Sequence, residues 1–233
     1  MKQFRLLLSG MILALACISV RAEVDGDVIY GDDDRRDLYQ VQNPIVRKLA
    51  ESTAALFNAS NVTLDAAKNR AVLTTSHYGE ELSLCTDEPF YHQRTGAFCS
   101  GSLVGPYLMM TAGHCVKSAD ACADVKFVFG FAITQEGVLP ESVPARDVYG
   151  CGELLGREQV GAGADWALIR LDRPVEGFKP LAVNKSGVIK KGTPLFVIGH
   201  PAGLPTKVAG GSAVRDPEHD GYFVANLDTY GGN

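Results

Sequence analysis

The run Leu108-Met109-Met110-Thr111-Ala112-Gly113-His114-Cys115 carries an apolar strand into a turn of small residues and then into an imidazole. Tight Ala-Gly packing sets the His114 ring at the strand's end, facing a cleft rather than the core. An imidazole there suits general acid–base chemistry, because its proton affinity lies close to neutral pH. Asp165 stands directly before a second apolar run, Trp166-Ala167-Leu168-Ile169-Arg170-Leu171, which delivers the carboxylate to the edge of a core. A carboxylate so placed is costly unless it is paired or hydrogen-bonded. Accepting the Nδ1–H of His114 meets that cost and fixes the tautomer that leaves Nε2 free to take a proton. The plainer readings are a satisfied core histidine and a strand-capping aspartate. Asp147 and Asp172 are the rival acids, and neither is followed by such a strand.

Strand register brings the cysteines into the argument. Cys99-Ser100-Gly101-Ser102-Leu103-Val104 precedes the His114 strand, and Gly105-Pro106 between them allows antiparallel pairing. That pairing brings Cys99 and Cys115 within bridging distance and locks the strand that holds His114. Strands over 125–131 and 143–149 read as a hairpin centred near Gly137, which sets Cys122 nearly opposite Cys151 as a second bridge. Cys85 is left over. No C-x-x-C or H-x-x-x-H spacing occurs, so neither a metal nor a cofactor is implied.

The elements that must position these residues are mostly strands. Lys2 and Arg5 precede the apolar stretch Leu6–Val20, and Val20-Arg21-Ala22 ends in a small residue, which reads as a signal peptide cut after Ala22. Lipoprotein processing at Cys17 fits less well, because Ala14-Leu15-Ala16 makes a poor lipobox. Export places the remaining five cysteines in an oxidising compartment, secreted or periplasmic. A formal charge of -5 argues against nucleic acid and against an anionic membrane surface as partners. No stable membrane association is expected, and a monomer is.

Residues 23–70 form an N-terminal segment, a candidate pro-segment. Within it Asn43-Pro44 starts a helix over about 44–57, with Ile45, Val46, Leu49, Leu56 and Phe57 at helical spacing. From residue 71 the pattern is short apolar runs punctuated by Gly and Pro, an antiparallel all-β sandwich or barrel. Arg173-Pro174, Lys179-Pro180 and Lys190-Lys191-Gly192 mark a polar connection within it. Trp166 reads as core, and His200, in Ile198-Gly199-His200-Pro201, as a surface-turn residue. His77, His92 and His219 lie in polar loops without a role.

Taken in order, C-S-G-S-L-V…M-T-A-G-H-C, D-W-A-L-I-R-L and the closing Gly231-Gly232-Asn233 resemble the His, Asp and Ser blocks of the trypsin-like (chymotrypsin-fold) serine proteases. Asn233, together with Val28-Ile29-Tyr30-Gly31-Asp32-Asp33-Asp34-Arg35 and Leu195–Pro201, resembles the V8-like, glutamyl endopeptidase branch. The likeness spans residues 85–233 with an echo at 28–36; the helical segment 37–70 departs from it. It implies two six-stranded antiparallel Greek-key barrels, barrel 1 over about 71–172 and barrel 2, incomplete, over about 190–233, in one peptidase domain 71–233.

The implied function is a secreted serine endopeptidase that hydrolyses protein or peptide substrates through a His-Asp-Ser triad and an acyl-enzyme. His114 is its general base, Asp165 its orienting carboxylate, and the N–H of Gly232 an oxyanion donor. The family's third block reads G-[DN]-S-G-[GS]-P, so the serine is expected directly after Asn233, and residues 1–233 are expected to be inactive. The resemblance also implies cleavage after Glu, as a loose expectation. Two other classes are open. A non-catalytic homologue would keep the fold as a secreted binding protein, and a purely structural β-protein would hold His114 and Asp165 far apart.

Overall fold

A computed structural model describes residues 29–161, 163–219 and 221–233; the expected signal peptide lies outside them. Six antiparallel strands close into a barrel: β1 (Thr53–Asn58), β2 (Cys99–Gly105), β3 (Leu108–Thr111), β4 (Val125–Phe129), β5 (Val148–Gln159) and β6 (Asp165–Leu171). Around the ring β1-β2-β3 runs into β6-β5-β4, and β4 closes on β1. Two three-stranded meanders are thus joined at both edges, and closure leaves no unpaired strand edge. The crossover from β3 to β4 carries His114, and β6 begins at Asp165.

The barrel interior follows the period-2 alternation of its strands. Ala54, Leu56, Leu103, Met109, Phe127, Phe129, Ala167, Ile169 and Leu171 fill one buried cluster. Ala55, Phe57 and Val128 face the other way, onto a small sheet formed by Val62–Asp65, Arg70–Leu73 and Ser142–Pro144.

A second, open sheet follows: β7 (Pro194–Gly199), β8 (Lys207–Asp216) and β9 (Val224–Ala225), with the two-residue strand Arg36–Asp37 paired to β8 through Val208 and Lys207. The architecture is all-β, with a closed six-stranded barrel followed by an open four-stranded sheet. Residues 172–193 connect the two and run back along the barrel. Val175 N–H donates to Pro106 O at 2.7 Å, Leu181 N–H donates to Leu103 O at 2.7 Å, and Phe178 stacks on Phe129 at 4.6 Å.

The helix expected over 44–57 is corrected. The helix α1 spans Pro44–Ala50, started by Asn43, whose side-chain oxygen accepts from Ile45 N–H at 2.9 Å. Thr53–Asn58 is instead a barrel strand with both faces buried. Apolar residues on both faces of a short strand cannot be told from a helix by periodicity. The boundary expected at 71 moves accordingly: barrel 1 begins at Thr53, and Arg36–Asp37 belongs to the second sheet. The hairpin reading is partly corrected as well. β4 pairs β5 from Val148, whereas Ser142–Pro144 pairs Arg70–Val72. Trp166 is 39% exposed rather than core, and its indole N–H donates to Glu158 Oε2 at 3.1 Å.

Candidate active site

The structure brings His114 and Asp165 together. Nδ1 of His114 lies 2.6 Å from Asp165 Oδ2, and the backbone N–H of His114 donates to Oδ1 at 2.9 Å. Both carboxylate oxygens therefore hold one residue, through its ring and its main chain, which fixes ring position as well as tautomer. With Nδ1 donating, Nε2 keeps its lone pair. Burial by itself raises the Asp165 pKa, but the hydrogen bonds from the His114 ring and backbone, the His114 charge and the Gly113 backbone outweigh it and hold the carboxyl below its ordinary value. The carboxylate is less buried than its sequence context suggests, with a side chain 35% exposed beside a His114 ring that is 49% exposed.

The turn under the imidazole is pinned on several sides. Cys99 and Cys115 are joined by a disulfide with Cα atoms 6.2 Å apart, and their sulfurs lie 3.9 and 3.5 Å from His114 Nε2. This trio has metal-ligand composition, but sulfurs joined in a disulfide offer no thiolate to a metal. Arg157 on β5 donates from Nε and a terminal nitrogen to Gly113 O at 3.1 and 2.9 Å. Thr111 Oγ1 donates to Ser100 O at 2.7 Å. A second disulfide, Cys122–Cys151, ties the helix Ala119–Ala123 to β5, and Cys85 is exposed and has no partner among the described residues.

Gly113 is required by space rather than by conformation. A Cβ there would lie 2.1 Å from Glu158 O, 2.9 Å from Trp166 O and 3.1 Å from Asp165 Oδ1. The first two are backbone atoms of paired strands and cannot swing aside. Gly113→Ala is expected to destabilise the protein by about 2–3 kcal/mol, as overpacking does. It should also pull His114 from Asp165. Urea denaturation together with the His114 Nδ1–H proton resonance checks this, and an unchanged midpoint and resonance would refute it.

Gly231-Gly232-Asn233 is the third predicted block, and it packs against β2 and the turn after β7. Ser100 Oγ shares its proton between Gly232 O at 3.0 Å and Asn233 Oδ1 at 3.1 Å, while accepting from His200 N–H at 2.8 Å. Ala202 N–H donates to Gly231 O at 2.7 Å, and Asn233 Nδ2 donates to Thr229 Oγ1 at 2.6 Å. Gly232 has φ +91°, a backbone region that favours glycine. Ala202, which holds this segment, is itself left-handed at φ 50°. Such strain in a non-glycine residue is maintained only where the surroundings over-determine it. Sequence reasoning missed Ser100 and Arg157 as positioning residues. Ser100 sits inside the C-S-G motif, where its hydroxyl was the available signal.

The reading of His200 as a surface-turn residue is corrected. Its side chain is fully buried, its ring stacks on Phe131 at 5.8 Å, and Nδ1–H donates to Leu204 O at 3.0 Å. Nε2 has no partner among the described residues. Burial pushes the pKa down to about 4, with the Lys207 charge adding and the Leu204 carbonyl opposing. Between pH 6.5 and about 4 the unfolded chain therefore takes up a proton that the folded chain refuses. Stability is full above this window and is lost as pH falls through it, by about 3 kcal/mol. His200→Asn keeps a donor for Leu204 O but does not titrate. Urea midpoints at pH 7 and 4.5 should differ less in this variant, and equal differences would contradict the assignment.

The family model described as a trypsin-like peptidase domain matches residues 99–233, more than half of the chain. A solved structure described as a Glu endopeptidase in complex with MPD is similar at 19% identity and a TM-score of 0.47, over 89% of this chain and 79% of that one. A search of curated proteins finds no match. With the matched region running from Cys99 to Asn233 and including both His114 and Asp165, the chain belongs to the trypsin-like peptidase domain family.

Proposed function

We propose that this peptidase is an exported serine endopeptidase of the V8-like branch, with His114 as general base and then general acid and Asp165 as its orienting carboxylate. The observation that carries the reading is the two-point grip of Asp165 on the ring and main chain of His114. The nucleophile is a serine directly after Asn233. Nε2 of His114 takes its proton as the hydroxyl attacks the substrate carbonyl, and returns that proton to the leaving amine. The N–H of Gly232 and that of the serine stabilise the tetrahedral oxyanion. Asp165 stays ionised, consistent with the hydrogen bonds that lower its pKa.

The substrates are protein or peptide chains. Cleavage after Glu follows from the branch resemblance alone. Two disulfides suit an oxidising compartment, and no helix among the described residues is long and apolar enough to cross a membrane. The enzyme acts as a monomer outside the cytoplasm, after removal of residues 1–22. The test compares residues 1–233 with a polypeptide that continues through the expected serine, using hydrolysis of a peptide ester. A folded, extended polypeptide that hydrolyses nothing would favour the non-catalytic homologue.

A further inference from the structure

Gly231 and Gly232 have no side chains to hold them, so anchors elsewhere must set their backbone. Part of the anchoring comes from the opposite end of the chain. Asp228 is only 4% exposed, and among the described residues no cation pairs with it. Its carboxylate is met by two backbone donors, Tyr30 N–H to Oδ1 and Asp34 N–H to Oδ2, both at 2.9 Å.

The next residue of that segment, Arg35, reaches under the same stretch. Its side chain is 1% exposed, and its guanidinium carbon lies 4.5 Å from the centre of the Tyr230 ring and 5.0 Å from that of Phe90. Asp33 holds it in a fork, with Nε to Oδ1 at 2.9 Å and a terminal nitrogen to Oδ2 at 2.7 Å. A planar cation near two aromatic rings, fixed by a bidentate carboxylate, is a geometry that lysine does not reproduce.

We infer that residues 30–35 form a strap that positions the oxyanion segment, with Asp228 and Arg35 as positioning residues. This rests on the proposed role of Gly232. The strap holds residues 228–230, and Ser100 and Ala202 hold 231–233. Releasing the strap would leave a buried carboxylate without its donors, so residues 228–230 would have to leave their site to hydrate it. The two glycines that follow would transmit that movement, having no packing of their own to resist it. The strap also sets a limit on maturation: a cut between residues 30 and 35 would break it, and a cut before Tyr30 would leave it intact.

The test is amide hydrogen exchange by NMR on the chain 1–233. The Ala202 amide, which donates to Gly231 O, reports docking of the segment. The Phe98 and Leu103 amides, which donate to Leu56 O and Ser52 O, report the barrel. In Asp228→Asn, exchange at Ala202 is expected to accelerate about 10- to 100-fold while the barrel amides keep their rates. Arg35→Ala should act in the same direction, and Arg35→Lys should recover only part of the protection. Unchanged exchange at Ala202 in both Asp228→Asn and Arg35→Ala would overturn the inference. So would equal acceleration at all three amides, which would mean general destabilisation. No catalysis enters this measurement, so an absence of proteolysis would count against the functional reading and leave the strap standing.

Discussion

In a polypeptide extended through the expected serine, His114→Ala and replacement of that serine by alanine should each lower peptide-ester hydrolysis by about 10⁴-fold or more, and the two losses should not add. The pair acts as one unit: the hydroxyl is a weak nucleophile without a base, and the base has nothing to deprotonate without the hydroxyl. Asp165→Asn should lose about 10⁴-fold, because an amide facing Nδ1 favours the tautomer whose Nε2 cannot accept a proton. The main-chain bond from His114 N–H to position 165 would survive in that variant, so the loss would report the ring bond. Residues 1–233 alone should show no hydrolysis above buffer. Steady-state rates with folding checked by circular dichroism measure this series. Losses from His114→Ala and the serine variant that multiply in the double variant would contradict a shared unit.

The largest expected effect on stability is at Lys207. Its side chain is 1% exposed, and Nζ donates to Asp37 Oδ1 at 2.7 Å, Gln93 Oε1 at 2.7 Å and Pro205 O at 2.9 Å. Burial pulls its pKa down to about 8 against the opposing pull of Asp37, so the charged pair is retained at neutral pH. Lys207→Met would leave the Asp37 carboxylate buried with Gln93 Nε2 as its remaining side-chain donor. Breaking a buried pair from one side costs about 3–5 kcal/mol. Adding Asp37→Asn to Lys207→Met removes the orphaned charge and should restore most of that loss. Urea denaturation of the single and double variants checks it. A double variant no more stable than the single would mean that packing of the lysine stem, rather than the ion pair, carries the effect.

How much could be read from sequence depended on how local each signal was. The contact between His114 and Asp165 was legible because each sits at the end of a short apolar run whose geometry brings it to a strand terminus. Cys99 and Cys115 were legible because one tight turn sets their register. Thr53–Asn58 was misread because a strand with two buried faces has no polar side to show its period. His200 was misread because flanking Gly and Pro signal a turn without saying which way it faces. Here the turn folds inward, under Ser100 and the terminal glycines.

The strap had no local signal at all. Asp228 accepts from Tyr30, 198 positions away, through backbone N–H groups that every non-proline residue carries. The pairing of Arg36–Asp37 with β8 is equally non-local. The segment 23–70 therefore read as a candidate pro-segment, although Arg36–Asp37 belongs to the second sheet and Thr53–Asn58 to the barrel.

The central claim is that His114 activates a serine placed directly after Asn233. Labelling the extended polypeptide with a fluorophosphonate and mapping the adduct by peptide mass spectrometry tests it most directly. The account predicts one adduct, on that serine, absent from His114→Ala and from residues 1–233. An adduct on Ser100 or Ser102, or labelling that survives His114→Ala, would contradict it.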